Sequence, residues 1–460
     1  MLQRLNTYSQ SAIRRFKGGL PTGFIRNVGW QYLSTAWTVG VGFIYTLLVA
    51  RLLGPDDFGL LAVSQGFGGL IFSLVELRLH EAVIRYTTEF WEQKDYPRLI
   101  ATIKLALLAD VITGLLALGL IIATAPLATQ YLIHNPHGTL IVWLGGLALF
   151  FMNVGTTTFV GLLRVFNQFK SQTLMRGVGI TLNLLLAVAL LRWTNWGILG
   201  VTVALAVTNL ITNLMLLAAT SRQLYAHVPV REIDAPIRLL QPRLREMGGF
   251  VANTYFLSLT KIPNKDLDII ILGWFGSLEA AGIYRIAKQF MSAMWYISDP
   301  AFVVVYPEIA RLWMRREIEA MWSFIKRFSL LMGSLGVGVF AVAFVAVPLV
   351  IRLVIGETYA PAGDIFHLML WSLLFWMPLM WINPFLMAVG RPDLSLKAAL
   401  LSALVTLLMY LGFVPLWAGQ GAALSYGLSL PLNMLMALWL GWRAGLMNTQ
   451  PIPEAAVVPK

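Results

Sequence analysis

Between Thr260 and Trp274 the chain reads TKIPNKDLDIIILGW, two lysines, two aspartates and a proline inside an otherwise apolar stretch. Lys265 and Asp268 follow Lys261 by four and seven residues, so on a helix the three share one face, with Asn253 and Thr260 close to the same stripe. A second stripe follows at intervals of three or four: Arg285, Lys288, Gln289, Ser292, Tyr296 and Asp299. Lysine and arginine in a low-dielectric site form charge-assisted hydrogen bonds that suit phosphate. Four cations (Lys261, Lys265, Arg285, Lys288) stand against three anions (Asp266, Asp268, Asp299), and that surplus implies an anionic cargo or an anionic handle on it. The competing account is structural: Lys261 or Lys265 pairs with Asp268, Asp266 pairs with Arg285, and nothing is carried.

Those stripes need a scaffold, and the composition says what kind. Of 460 residues, 58% are hydrophobic and only 12% charged, where a soluble domain has about a quarter of its residues charged. Apolar runs of about 20 residues recur, the length needed to cross ~30 Å of hydrocarbon. They predict an all-α integral membrane protein with about twelve spans. On that map Lys261 lies about 16 Å into span seven, near the bilayer centre. A lone charge there costs about 3 kcal/mol on insertion scales, so the stripes should face each other or water. Span one adds Arg26 or Asn27, then Gln31, Ser34 and Thr38, and Glu76 stands near the inner end of span two; Glu76, Asp266 and Asp299 are candidates for ion coupling or charge pairing.

Lys and Arg fall on alternate connections: with the N-terminus inside, 27 of the 34 lie in inner segments, 3 outside and 4 within spans. The asymmetry predicts both termini in the cytoplasm. It also accounts for the net charge of +12 through anionic lipid, without nucleic acid. The opening residues carry no removable signal pattern, so the first span should direct insertion.

The sequence also repeats itself. At an offset of 222, ATAPLATQYLI lies over VAVPLVIRLVI, placing Pro126 on Pro348, and Gly54 falls on Gly276. At 223, Asn167 falls on Gly390, the two residue types that tolerate a left-handed backbone at a helix C-terminus. Six spans per half, both starting inside, make parallel repeats about an axis along the membrane normal, as in transporters with a central cavity. The expected division is a basic N-terminus over 1–24, a first six-helix bundle over 25–220, a cytoplasmic linker over 221–247, a second bundle over 248–445 and a tail over 446–460.

Several chemistries are excluded or disfavoured. There is no cysteine, hence no thiolate metal site or cysteine nucleophile, and no P-loop, hence no ATP hydrolysis of that kind. His134 and His137 flank Pro136 with no acidic neighbour, so no metal site is expected. Asp56 and Asp57 are better read as caps of span two than as a catalytic pair. Outer connections are short, leaving no room for an external catalytic domain, and no cofactor is expected beyond a coupling ion, H+ or Na+. The basic stretch ARLWMRREIEAMWSFIKRF, Ala310 to Phe328, is expected along the cytoplasmic interface.

ARLLGPDDFGLLAVSQ (Ala50 to Gln65), LRLHEAVIRY, LDIIILGWFGSLEAAGIYRIAKQ, GETYAPAG and AVGRPDLSLK, in that order across two halves, resemble the bacterial polysaccharide and O-antigen flippases of the multidrug/oligosaccharidyl-lipid/polysaccharide exporter superfamily. The resemblance covers about residues 24 to 445. It implies a V-shaped pair of bundles in the bacterial inner membrane. These would move undecaprenyl-pyrophosphate-linked oligosaccharide to the outer leaflet for lipopolysaccharide, exopolysaccharide or capsule synthesis, by alternating access. The protein would then be a transporter and not an enzyme. Its partners would be the lipid-linked substrate, membrane lipids, a polymerase and a chain-length regulator. By position Asp268 matches an acidic residue of many members, and Lys261 with Arg285 would belong to the cavity; from the stripes themselves Lys265, Asp268, Lys288, Arg26, Gln31 and Asn253 are expected to line it with them. An ion-coupled drug or metabolite antiporter of the same superfamily is the alternative, although a cationic cavity suits cationic cargo poorly. The chain lacks the two C-terminal spans of fourteen-span lipid II flippases, which argues against a peptidoglycan precursor.

Overall fold

The computed structural model describes residues 22–446 apart from 78, 260, 261, 263, 264 and 266, and the side chains of 22–28, 31, 257 and 297–304 also lie outside it. Lys261 and Asp266, and the side chains of Arg26, Gln31 and Asp299, therefore fall outside the described residues.

A chain crossing hydrocarbon must satisfy every backbone N–H and C=O internally, which selects helices. Among the described residues there is no strand. The first half runs α1 (Thr22–Leu53), α2 (Pro55–Val75), α3 (His80–Glu92), α4 (Tyr96–Ala128), α5 (Gly138–Asn153), α6 (Thr156–Val165), α7 (Phe169–Trp193) and α8 (Gly197–His227). Short 3-10 turns at Val230–Glu232 and Ile237–Arg243 lead to the second half. This holds α9 (Leu244–Leu259), α10 (Asp268–Phe275), α11 (Leu278–Met314), α12 (Ile318–Val350), α13 (Pro361–Leu370), α14 (Ser372–Leu379), α15 (Ile382–Ala388) and α16 (Pro392–Arg443).

Nine helical stretches among the described residues are long and apolar enough to cross a membrane, against the twelve spans expected. The shortfall has identifiable causes. At 52 residues α16 would be about 78 Å long if straight, more than twice the hydrocarbon thickness. It doubles back at Ala418, which has φ 45 and ψ −122. Gly421 makes that turn tight enough to work, because a Cβ there would stand 2.1 Å from the Phe413 carbonyl oxygen. The other missing stretches are α9 with α10, and α11, where the charges of the two polar stripes lie.

The two halves repeat in backbone detail. Helices α4 and α12 each have 33 residues, contain Pro126 and Pro348 near their ends, and pass into π-turns at Thr129–Ile133 and Ile351–Ile355, 222 residues apart. Asn167 and Gly390 both adopt positive φ, 55° and 77°. One difference separates the halves: α2 stops at Val75 and the chain restarts as α3, whereas its counterpart α11 runs on unbroken for 37 residues.

One local expectation changes. Neither Asp56 nor Asp57 caps α2 through a side-chain hydrogen bond; Gly54 is the N-cap, and both carboxylates sit in the first turn, where the helix dipole favours them. The stretch Ala310 to Phe328 forms the joint between α11 and α12, turning where Arg316 has φ 59.

Packing distinguishes the two ends of the molecule. At the end carrying Gly54 and Gly276, one apolar core draws on both halves, with Ala50, Leu60 and Val63 against Ile271, Tyr284 and Tyr359. At the end carrying the linker, the core divides. Tyr86, Phe90, Leu99, Val228 and Leu240 form one cluster in the first half and linker. Ile309, Met321, Phe385 and Leu394 form another in the second half. Arg51 Nη1 donates to the Val354 carbonyl at 2.9 Å and Tyr359 Oη to the Ala50 carbonyl at 3.0 Å, joining the halves at the shared end.

Candidate functional site

The polar stripes of spans seven and eight meet where α10 begins. Asp268, fully buried, stands in the first turn of α10, and its carboxylate accepts three hydrogen bonds. Lys288 Nζ donates at 2.5 Å and Tyr284 Oη at 2.6 Å, both from α11, and the Ile269 N–H donates at 2.9 Å. Tyr284 and Lys288 are four residues apart, so one face of α11 presents both to the carboxylate.

Lys288 is itself buried, at 8% exposure. Besides Asp268, its ammonium reaches the Lys265 carbonyl at 2.9 Å and lies 5.6 Å from the centre of the Tyr426 ring. Trp295 Nε1 donates to the Tyr426 hydroxyl at 3.3 Å and holds that ring in place. The three donors of an ammonium are thus engaged by a carboxylate, a carbonyl and a π face. Asp268 and Lys288, both expected to line a substrate cavity, form a buried ion pair. The physical reason is the cost of an isolated charge in an apolar interior, which pairing and full hydrogen bonding remove.

The remaining predicted residues scatter. Lys265 is exposed and donates to Ser73 Oγ of α2 at 3.2 Å, a contact between the halves. Arg285 is half-buried and makes no hydrogen bond or ion pair among the described residues. Asn253 lines a cleft of about 810 Å³ between α9 and the first part of α16, with Phe256, Leu259, Leu396 and Leu400 as its apolar walls. On its other side α9 packs on the linker turn Ile237–Arg243 and on α3 of the first half. Glu76 is the C-cap of α2, with its backbone N–H bonded to Phe72 O.

Two groups of polar residues in the first half escaped the sequence reading. Asp110, 4% exposed within α4, accepts from Thr157 Oγ1 at 3.1 Å and Thr158 Oγ1 at 2.9 Å. These threonines begin α6, after span four breaks at Val154 and the left-handed Gly155. Asn213 Nδ2 serves the other side of the break, donating to the carbonyls of Phe151 and Val154 at 2.7 Å each. The only written signal was NVGTTT, a glycine and three threonines inside an apolar run. The second group contains Arg164, Arg176, Gln172 and His80. Arg164 and Arg176 count as inner-loop charges in the sequence, yet Arg176 stands two turns inside α7.

Comparison with known proteins agrees with this architecture. Residues 24–313 match the family of polysaccharide biosynthesis proteins. A curated relative, the succinoglycan biosynthesis transport protein ExoT of Rhizobium meliloti (strain 1021), is 26% identical over 393 residues, covering 83% of this chain and 72% of the relative. Among solved structures, the lipid II flippase MurJ in an inward closed conformation superposes with a TM-score of 0.66 at 13% identity, over 91% of this chain and 87% of that one. An inward-facing multidrug resistance MATE family transporter of the MOP superfamily gives 0.62 at 16% identity, over 95% and 97%. At such identities the structural likeness carries the fold alone.

Proposed function

The chain belongs to the polysaccharide biosynthesis protein family, and from that premise we propose that it is a flippase for lipid-linked oligosaccharide. Its substrate is a saccharide on a polyprenyl pyrophosphate such as undecaprenyl pyrophosphate, carried from the cytoplasmic to the outer leaflet of a bacterial inner membrane. The relative named as a succinoglycan transport protein supports export of a surface polysaccharide precursor. Polymerase and chain-length regulator are the expected downstream partners.

The observation that carries the mechanism is the asymmetry of the core. The halves share one apolar cluster at the Gly54/Gly276 end and hold separate clusters at the linker end. The basic connections support a cytoplasmic side for the linker end and both termini. Two rigid bundles hinged in this way can rock about their shared end and expose a site between them to either side in turn. The division at 221–247 is the natural joint, with the bundles over 25–220 and 248–445 as the moving bodies. Arg285 and Lys261 are the cations of spans seven and eight assigned to the passage, since Lys288 is spent on Asp268.

A deletion strain provides the test. Loss of surface polymer together with lipid-linked intermediate trapped in the cytoplasmic leaflet is expected; normal polymer without accumulation would reject the assignment. Restoration by a drug antiporter, or a drug-sensitivity phenotype with normal polymer, would favour the antiporter instead.

A further inference from the structure

Two carboxylates are buried among the described residues, Asp110 and Asp268, and they are served differently. Asp268 has the Lys288 ammonium at 2.5 Å. Asp110 has only neutral donors: Thr157 Oγ1 and Thr158 Oγ1 both bond its Oδ2, and no ion pair reaches it among the described residues. Hydroxyls offset only part of the cost of taking a carboxylate out of water, the part that an opposite charge would otherwise meet. Of the elements packed around α4, α2 brings Glu76, with Asp56 and Asp57 at its other end; α3 brings His80 and Glu81; α6 brings Arg164; and α5 brings no titratable group. Arg164 is turned to His80, at 3.1 Å. Arg85 and Glu89 of α3 and Arg243 of the linker turn are engaged in ion pairs of their own, and Lys104 of α4 itself donates to the Ala235 carbonyl.

The internal repeat supplies an independent observation. The offset of 222 that lays Pro126 of α4 on Pro348 of α12 also lays Asp110 on Met332. The offset of 223 that lays Asn167 on Gly390 lays Thr157 and Thr158 on Met380 and Trp381. Met332, Met377 and Met380 pack together as a buried apolar cluster beside the break between α14 and α15. The second half thus holds its broken span with thioethers where the first half uses a carboxylate and two hydroxyls, so the fold does not demand a charge at this place. An ionisable residue kept inside a membrane span without that demand marks a functional position.

We propose that Asp110, with the Thr157 and Thr158 hydroxyls, is a proton-binding site peculiar to the first half, which ties α6 to α4 when ionised and slackens that tie when it takes a proton. The proton, delivered by water, adds to a lone pair of Oδ1, the oxygen to which neither threonine bonds, and turns the carboxylate into a neutral acid. Hydrogen bonds to an ionised acceptor are about twice as strong as those to a neutral one, so both threonine contacts weaken together. They hold the first turn of α6, directly after the left-handed Gly155, and the break in span four loosens with them. A cavity of about 200 Å³ approaches the site: Ala106 and Ala109 of α4 line it with Leu77 and Leu79 at the α2/α3 junction and Val251 of α9. Because α9 belongs to the second half, the access of water to Asp110 follows how the two halves stand. The site exists whether or not the chain moves a lipid-linked saccharide.

Infrared difference spectroscopy of the full-length protein in liposomes, recorded as the buffer is acidified, tests this with the proton as the only ligand. The parent should gain the high-frequency C=O band of a carboxylic acid shielded from water; Asp110→Asn should lack it and Glu76→Gln should keep it. Persistence of the band in Asp110→Asn, or its absence from the folded parent, would overturn the site. Its erasure by sodium chloride at constant pH would make the place a sodium site and overturn the proton assignment. Should Asp110→Asn fail to fold, Thr157→Val with Thr158→Val decides: the band must move in frequency, since its C=O loses two hydrogen bonds, and an unmoved band overturns the arrangement. Hydrogen exchange over residues 156–165, corrected for intrinsic rates, reads the tie. It should run about fivefold faster or more on the acid side of the band's midpoint in the parent and be insensitive to pH in Asp110→Asn; equal protection on both sides would overturn the slackening. Normal polymer in a deletion strain would sink the flippase reading and leave each of these measurements standing.

Discussion

Gly59 of α2 and Gly282 of α11 occupy matching places in the two halves, 223 residues apart, and each faces the other's chain. A Cβ on Gly59 would lie 1.7 Å from the Leu278 carbonyl oxygen, and one on Gly282 would lie 2.2 Å from that of Pro55. The contact is reciprocal, as a pseudo-twofold axis passing between them requires. Backbone therefore meets backbone where the halves share their core, and no side chain can yield to make room.

Gly59→Ala should hold that end apart. The chain has no cysteine, so a single introduced thiol reports cleanly. With Ala281→Cys, a fully buried position on α11, the parent should resist a membrane-impermeant maleimide and Gly59→Ala should be labelled. Equal protection in both would show that α2 and α11 cross with slack, contrary to the geometry.

How much of this was written in the sequence depends on whether a residue type announces its conformation. Pro126 and Pro348 announce theirs, and the π-turns beyond them repeat at the same spacing. Asn167 and Gly390 tolerate the left-handed backbone they adopt, so the duplicated hinge was legible. Lys94 and Arg316 form an equally matched pair, with φ 57 and 59, yet nothing in a lysine or an arginine advertises it. Charge partners were less legible, because periodicity reveals which residues share a helix face and not which helix lies opposite. Asp268 met Lys288 across two helices for that reason. Arg176 was hidden by an uncertain helix start, and Asp110 by the strongly apolar run around it.

The pairing of Asp268 with Lys288 predicts strong non-additivity. Asp268→Asn or Lys288→Met alone strands one buried charge and should cost about 3–5 kcal/mol. The double variant removes both charges and should recover much of that loss, giving a coupling of about 1–3 kcal/mol in a double-mutant cycle read by thermal unfolding in detergent. Additive losses would mean that the two charges act separately.

Asp110 predicts a graded series. Asp110→Leu leaves the Thr157 and Thr158 hydroxyls without their buried acceptor and should destabilise the bundle by about 1–3 kcal/mol. Asn keeps a carbonyl oxygen that can accept from one threonine, so Asp110→Asn should fall between leucine and the parent. A leucine variant as stable as the parent would show that the break in span four is held by Asn213 alone.

The linker makes a prediction about pH. Arg243 Nη1 donates to Glu89 of α3 at 2.6 Å and its Nε to Glu246 of α9 at 3.1 Å, while Tyr86 Oη donates to Glu246 at 3.2 Å. The Arg243 hydrogen bond is the main reason that the Glu246 carboxyl is held below its usual range. A depressed carboxyl contributes its stabilisation above its unfolded pKa and loses it as pH falls through the folded one. Docking of α9 and the linker on α3 should therefore be constant from pH 7 to 5 and loosen only below about pH 4. Hydrogen exchange over residues 237–250, corrected for intrinsic rates, measures it. Glu246→Gln should flatten the low-pH change, and an unaltered profile in that variant would show that Glu246 is not the group that loosens the contact.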